Sequence, residues 1–334
     1  MGRKLGEAEY KARSSARNSD AEVIELIEAV GVTETARRLG MSPGNISDRR
    51  NRIEARTGKR IVSPPIKYNN HPPRPTKQFP HRVLLGVDSG IVLVGSDGHY
   101  WPGPATVAHR AFVKFCKDLK PKIVIMNGDV FDGSRISRHP PIGWERTPTV
   151  IDELESCQER MGEIEDAVSK ACVLTWNLGN HDSRFETRLA SMAPEFARVN
   201  GFHLKDHFSE RWQPAWSTFI NDDRGVVVKH RFKGGIHAPH NNTLWAGRTI
   251  ITGHLHSQKV SPIGDYNGTR WGVDAGCLAD PQGPQFTDYT EDSPKDWRSG
   301  FVVLTFHKGK LLPPELVSVW EENSITFRGI IIKV

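Results

Sequence analysis

From residue 20 the apolar positions Val23, Ile24, Ile27 and Val30 recur at helical spacing behind Asp20, which can cap them, and Gly31 is placed to end the run. A second short helix is expected over residues 34–39. Gly40 then turns the chain, Ser42 can cap a third helix, and Ile46 and Ile53 carry its apolar side toward Gly58. The residues before 20 are polar and charged, with little to bury, and read as a mobile arm. Residues 61–80 hold Pro64, Pro65, Pro72, Pro73, Pro75 and Pro80 among few core formers, the composition of a stiff linker. The pattern therefore predicts a small all-α domain over 1–60, a linker over 61–80 and a larger domain over 81–334.

In that larger part strands alternate with helical patterns, which predicts α/β layers. Strands are expected at 82–85 and 91–95 around an Asp88-Ser89-Gly90 turn, and at 122–126 and 171–176; helices are expected at 105–119, 149–171 and 184–193. The second half is richer in strands, at 216–220, 226–230, 249–252, 270–274, 301–306 and 325–332. A layered α/β (α+β) fold, a β-sandwich of two sheets flanked by helices, accommodates this order better than one doubly wound sheet.

Composition adds little beyond limits. The 334 residues, 37% of them hydrophobic, suffice for two domains with a sizeable core. No apolar run approaches the roughly 20 residues that span a bilayer, and Met1-Gly2-Arg3-Lys4 leads into a charged stretch, so no membrane partner and a cytoplasmic location are expected. Cys116, Cys157, Cys172 and Cys277 are scattered in mostly apolar surroundings, which predicts buried thiols. The net charge of +6 favours a polyanionic partner, and its distribution sharpens that: Arg37, Arg38, Arg49, Arg50, Arg52, Arg56, Lys59 and Arg60 crowd one N-terminal stretch.

The small domain resembles the helix-turn-helix family, with Ala36 where two helices touch, Gly40 at the turn and Ile46 plugging the core from the third helix. The resemblance implies that Asn45, Ser47 and Arg49 face a major groove and that Arg50, Arg52 and Arg56 lie nearer phosphates of DNA or another nucleic acid. Asp48 on that face opposes phosphate unless it accepts from cytosine. A three-helix protein-interaction bundle with solvated arginines is the alternative.

Five polar blocks sit at or just past the predicted strand ends. They are Asp97-Gly98-His99, Gly128-Asp129-Val130-Phe131-Asp132, Gly179-Asn180-His181-Asp182, His230, and Gly253-His254-Leu255-His256. Side chains alternate along an extended segment, so an Asp-x-His or His-x-His pair points to one side and can bite one metal centre, while the glycines let backbones approach. In this order the blocks resemble the calcineurin-like metallophosphoesterase superfamily, and Trp271 to Cys277 is similar to the strand and small-residue turn that follows them there.

That resemblance implies two divalent cations, manganese first among them with iron, zinc or magnesium as alternatives. Asp97, His99 and His256 would hold one and Asn180, His230 and His254 the other, with Asp129 bridging. His237 and His240 compete with His230 for the lone-His role; His230 directly follows a β-branched run, which leaves His237 and His240 as possible substrate contacts. Metal-activated hydroxide would attack phosphorus and His181 would protonate the leaving group. Asp182 would either orient His181 or cap the following helix. Arg135, Arg138 and Arg184 follow ligand blocks and are candidates to grip phosphate.

The resemblance leaves the substrate open. Gly133-Ser134-Arg135 departs from the Val-Asp-Arg-Gly form of the protein Ser/Thr phosphatases. The expected function is a dimetal phosphodiesterase or nuclease directed to nucleic acid by the N-terminal domain. The alternatives are a phosphatase acting on a small molecule or phosphoprotein, with the N-terminal domain as an interaction module, and a nucleic-acid-binding regulator with an inactive phosphoesterase domain.

Overall fold

Two serines start the helices of the first unit. In the computed structural model, which describes residues 18–64, 79–139, 144, 146–221, 225–287, 290–291 and 293–334, the Ser19 side chain accepts from Glu22 N at 3.2 Å to open α1 (Asp20–Leu39), and Ser42 accepts from Asn45 N at 3.2 Å to open α2 (Pro43–Thr57). Gly31, at φ 79° and ψ 167°, breaks the first turn sequence, so the two helices expected there form one kinked element. Gly40 and Gly58 close α1 and α2 in the left-handed conformation. Val23, Ile27, Ala36, Ile46 and Ile53 are buried together, joined by Ile61, whose N–H donates to Glu54 at 2.8 Å. Ile61 thus packs with the helices, although its sequence context reads as linker. The expected N-terminal arm and most of the proline-rich stretch lie outside the described residues.

The chain divides into two compact units, Met1–Thr76 and Lys77–Val334. In the second unit β1 (Val83–Leu85) precedes four parallel neighbours, β2 (Gly90–Gly95), β3 (Ile123–Met126), β4 (Val173–Asn177) and β5 (Trp212–Ala215). A second sheet has the order β1, β6 (Thr218–Ile220), β7 (Val226–Val228), β8 (Thr249–Thr252), β10 (Gly268–Asp274) and β9 (Lys259–Asp265). The first sheet is extended antiparallel from β2 by β11 (Gly300–His307), β13 (Glu315–Glu321), β14 (Ser324–Phe327) and β15 (Ile330–Lys333), with β12 (Lys310–Leu311) paired to β11.

Strand alternation explains the layers. Val92, Val94, Ile123 and Ile125 join Ile220, Val226, Val228, Ile251 and Val273 in a core between the sheets, whereas Leu93, Val124, Met126, Leu174 and Trp176 point the other way. On that side they meet Phe112 and Phe115 of α3 (Val107–Leu119), Leu154 and Met161 of α4 (Val150–Ala167), and Phe185 of α5 (Asp182–Met192). The architecture is the layered α/β sandwich expected, with strands near-continuously apolar where both faces are covered.

Among the elements that escaped the pattern, four show why. α6 (Ala238–Ala246) packs on β8, β9 and β10 but carries His, Pro and two Asn without an apolar stripe, so it reads as a loop. β9 contains Pro262 and Gly264 and is half-exposed at a sheet edge. β5 carries Pro214, also at an edge, and β13 mixes Glu and Ser with its valines. The run 325–332 is two strands, not one, because Arg328 (φ 52°) and Gly329 (φ 74°) turn the chain into a hairpin. All four cysteines are buried free thiols. No helix among the described residues is long and apolar enough to cross a membrane.

Candidate metal centre

The polar blocks meet where the two sheets present strand carboxyl ends to each other. Asp97 and His99 follow β2, Asp129 and Asp132 follow β3, and Asn180 and His181 follow β4. From the facing sheet His230 follows β7, while His254 and His256 follow β8, a parallel neighbour of β7. Backbone bonds fix the convergence: Asp97 N–H donates to Gly128 O at 2.9 Å and His99 N–H to Asp129 O at 2.8 Å, and across the sandwich His254 N–H reaches the Asp97 carboxylate at 2.9 Å.

Three sets of potential ligand atoms result among the described residues; one of them, His99, Asp132 and His181, borders the other two. In those two, Asp97, His99 and His256 lie with their ligand atoms within 4.8 Å of one another, as do Asp129, His230 and His254. Asn180 joins the set of Asp129, its Oδ1 3.2 Å from His230 Nε2. Asp129 spans these two sets, with Oδ2 3.0 Å from His230 Nε2 and 3.9 Å from His99 Nε2. Asp97, His99, Asp129, His230 and His256 are buried, while Asn180 and His254 are half-buried and leave one side open. His237 and His240 stand exposed at the start of α6, outside these sets.

The donor set fits divalent cations. His99 donates through Nδ1 to Asp132 at 2.7 Å, leaving a buried Nε2 without a hydrogen-bond partner between two carboxylates; His230 donates through Nδ1 to Asn127 O at 2.8 Å, leaving Nε2 toward Asp129. Anchoring one ring nitrogen while freeing the other is how a protein fixes the tautomer of a metal-binding imidazole. Electrostatics agree. Burial alone would raise the Asp97 carboxyl, yet the charges of His230 and His256 hold it down at about 2. Burial would lower His230, but the Asp129 and Asp97 carboxylates raise it to about 10. The carboxylates demand positive charge in a dry site, and a cation would replace the proton.

The backbone is shaped for this. Asp97, His99, Asp129, His254 and His256 all have left-handed φ, between 37° and 71°, a conformation costing about 1 kcal/mol or more for a residue with a Cβ and concentrated at functional sites. Two glycines make the clearance. A Cβ on Gly179 would sit 2.0 Å from Asp129 Oδ1, and one on Gly253 would sit 1.9 Å from Ser96 Oγ and 2.4 Å from Asp97 Oδ2. Gly179→Ala is therefore expected to displace the Asp129 carboxylate and lower metal affinity about tenfold or more, measured as metal retained after dialysis, with the fold intact by circular dichroism.

His181 is half-buried beside both sets. Its Nδ1 lies 2.9 Å from Asp132 O and 3.0 Å from Asp132 Oδ1, and its Nε2 lies 4.0 Å from Asp129 Oδ2 and 3.1 Å from an Arg184 guanidinium nitrogen. Burial opposes its charge, but Asp129 and Asp132 outweigh burial and raise its pKa. Asp182, expected either to orient His181 or to cap the following helix, does neither. Asp182 is fully buried and accepts from the backbone N–H groups of Asp129, Val130, Phe131 and Gly179 at 2.8–3.0 Å and from Trp176 Nε1 at 3.2 Å. It anchors the loop carrying Asp129, and the carboxylate beside His181 is Asp132. The signal for Asp132 was present in the second Asp of the Gly-Asp-x-x-Asp block. Arg184 also donates to Asp132 O at 2.9 Å and so borders the site, whereas Arg135 is exposed and reaches Thr147 O.

Behind this loop Glu153 is buried and accepts from Gly133 N–H at 2.8 Å and the Ser134 hydroxyl at 2.7 Å. Burial pushes its carboxyl up to about 7, from an ordinary 4.5, despite the Ser134 hydroxyl. With the folded pKa raised, its contribution to stability is fully present below pH 4.5 and is lost as pH rises through 7. Glu153→Gln, which keeps both contacts by turning its amide, should match the wild type near pH 4.5 and exceed it by about 1–3 kcal/mol above pH 7, read from denaturant unfolding at the two pH values.

In the first unit Arg49 is also corrected. Its side chain donates to Asp20 at 2.8 Å and to Asn18 O at 2.7 Å and is only 15% exposed, so it ties α2 to the start of α1 instead of facing outward. Asn45 and Arg52 are exposed and Ser47 half-exposed; Arg56 pairs with Asp20 and Arg50 with Glu54.

The profile of the calcineurin-like phosphoesterase family matches residues 91–280, more than half of the chain. No curated protein matches the sequence. Among solved structures the chain is similar to Vps29 from Entamoeba histolytica, crystallised with zinc, at 11% identity and a TM-score of 0.39, covering 73% of this chain and 98% of that one. A Thermotoga maritima protein solved by solution NMR is 11% identical, with a TM-score of 0.30 and coverages of 69% and 99%. A dimetal phosphatase from Danio rerio is 10% identical, with a TM-score of 0.31 and coverages of 70% and 96%.

Proposed function

The chain belongs to the calcineurin-like phosphoesterase family and is a metal-dependent phosphoester hydrolase; from that premise we propose that it is a dimetal phosphodiesterase cleaving nucleic acid, brought to it by the N-terminal helical unit. The observation that carries the hydrolytic part is the convergence of Asp97, His99 and His256 with Asp129, His230 and His254 around one shared carboxylate. Asp97, His99 and His256 would hold one divalent cation, and Asn180, His230 and His254 the other, with Asp129 common to both. The mixed carboxylate, imidazole and amide shell suits manganese. Bound there, the cations would supply Lewis acidity toward the phosphoryl oxygens and the attacking water.

The chain's own groups do the rest. Asp132 orients the His181 ring and favours its charged form, so that Nε2 delivers a proton to the departing oxygen. Arg184, now against His181 Nε2, is within reach of a phosphate oxygen at the same place and would exchange one partner for the other. The half-buried side formed by Asn180 and His254 admits the substrate.

What supports a nucleic-acid substrate is the packed helix pair α1 and α2, with Asn45 and Arg52 exposed on α2. Buried free thiols fit a cytoplasmic location. The test is a substrate panel on the manganese-loaded protein, comparing oligonucleotides, cyclic nucleotides and small phosphate mono- and diesters. Oligonucleotide cleavage is expected, and its absence with manganese, magnesium and zinc alike would sink the nuclease assignment. The double variant Asn45→Ala, Arg52→Glu should raise the KM for oligonucleotides about tenfold and leave turnover of a small diester unchanged; equal KM values would remove the N-terminal unit from substrate recognition.

A further inference from the structure

From Gly225 to Gly264 the chain contains no Asp or Glu, although 39 carboxylate residues are distributed over the whole. Within this acid-free stretch, the segment after His230 is exposed from Arg231 to His237. Large apolar groups stand in solvent there: Trp245 is 68% exposed, Ile236 75% and Phe232 41%. Cations cover the rings. Lys233 Nζ lies 3.2 Å from the Trp245 ring centroid and Lys229 Nζ 5.3 Å from that of Phe232. Among the described residues no carboxylate pairs with Lys229, Arg231 or Lys233.

This surface is held in place and adjoins the metal centre. Buried Asn242 of α6 accepts from Lys233 N–H at 3.1 Å and donates to Lys233 O at 3.2 Å, clamping the segment to the helix that carries Trp245. Phe232 is two residues from His230, and a Cβ on Gly234 would meet Leu255, between His254 and His256, at 3.8 Å.

Flat aromatic faces interleaved with unpaired cations complement a ligand that is itself alternately flat and anionic. A purely apolar partner would leave the lysines desolvated without a counter-charge. A duplex hides its base faces, so its phosphates would use the cations and leave Trp245 and Phe232 idle. We propose that this rim binds single-stranded nucleic acid, bases stacking on Trp245 and Phe232 and phosphates pairing with Lys229, Arg231 and Lys233, and that it feeds an unpaired strand to the metal centre. It rests on the nucleic-acid reading above and specifies the strand.

The test uses full-length protein stripped of metal by chelator and fluorescein-labelled oligonucleotides of one mixed sequence as single-stranded DNA, single-stranded RNA and DNA duplex, followed by anisotropy. In the Asn45→Ala, Arg52→Glu background, which removes the contacts proposed for the helical unit, a single strand, DNA or RNA, is expected to bind more tightly than the duplex. Trp245→Ala and Lys233→Glu should each weaken that binding about tenfold or more, while Trp320→Ala, 60% exposed but beside Glu321 and Glu322, should not change it. Should either variant misfold by circular dichroism, Trp245→Leu and Lys233→Gln test the same contacts. Unchanged affinity in the Trp245 and Lys233 variants, or a preference for duplex in that background, overturns the proposal. Cleavage with manganese separates the two readings: oligonucleotides cleaved but bound normally by the variants defeat the rim alone, and a strand bound through Trp245 yet never cleaved defeats the nuclease assignment alone.

Discussion

Asp129→Asn is expected to cost the protein its metals, lowering affinity about 100-fold or more, and with them nearly all hydrolysis. Asn has the shape of Asp without its charge. Asp129 is buried, and burial would raise its carboxyl, but His230 and His181 outweigh that and hold it well below the usual carboxylate range. Its Oδ1 accepts from His181 N–H at 2.8 Å and its Oδ2 faces His230 Nε2 at 3.0 Å. An amide at that oxygen would turn N–H toward the cluster that a cation should occupy, and two cations would lose the one anion between them. Elemental analysis after dialysis, with turnover at increasing manganese, checks this. Full metal content with normal turnover would exclude Asp129 as the shared ligand.

His181→Ala should behave in the opposite way, keeping its metals while turnover slows by roughly two to four orders of magnitude. The deficit should shrink for a substrate whose leaving group needs no proton, because the task proposed for the imidazole is to supply one. Loss of metal instead would make His181 a ligand and overturn the assignment. The neighbouring carboxylates sharpen the test. Asp132 helps raise the His181 pKa. A general acid works below its pKa, so Asp132→Asn should move the alkaline limb of the kcat/KM profile to lower pH. Asp182→Asn should act otherwise, loosening the loop around Asp129 and reducing metal retention, since its contacts are the N–H groups of that loop.

Four of the five candidate blocks were legible in the sequence because strand and glycine turn stand side by side in them, and His230 because it follows a β-branched run. Ile123 to Met126 before Gly128-Asp129, and Ile250-Ile251 before Gly253-His254, announce buried strands ending in polar turns without reference to the rest of the chain. The same locality hid α6, whose only reason to be helical is its seat on β8, β9 and β10, where Asn242 and Thr243 are buried and its Trp245 remains outside. The proline-bearing edge strands β5 and β9 were hidden likewise, since pairing to a neighbour supplies what their own residues do not.

By itself the sequence determined the kinds of side chain that gather and the turns that carry them: helical spacing, alternation and glycine placement act over a few residues, where the chain's own stereochemistry decides. Only the tertiary structure decided who faces whom. Asp182 adjoins His181 in the chain, yet the first turn of α5 aims its carboxylate at the N–H groups after β3, and it is Asp132, 49 residues earlier, that meets the His181 ring. Arg49 is drawn to Asp20 across the helical unit for the same reason. Pairing across such separations is set by how strands register and helices pack, and a buried charge settles on the partner that packing brings within reach.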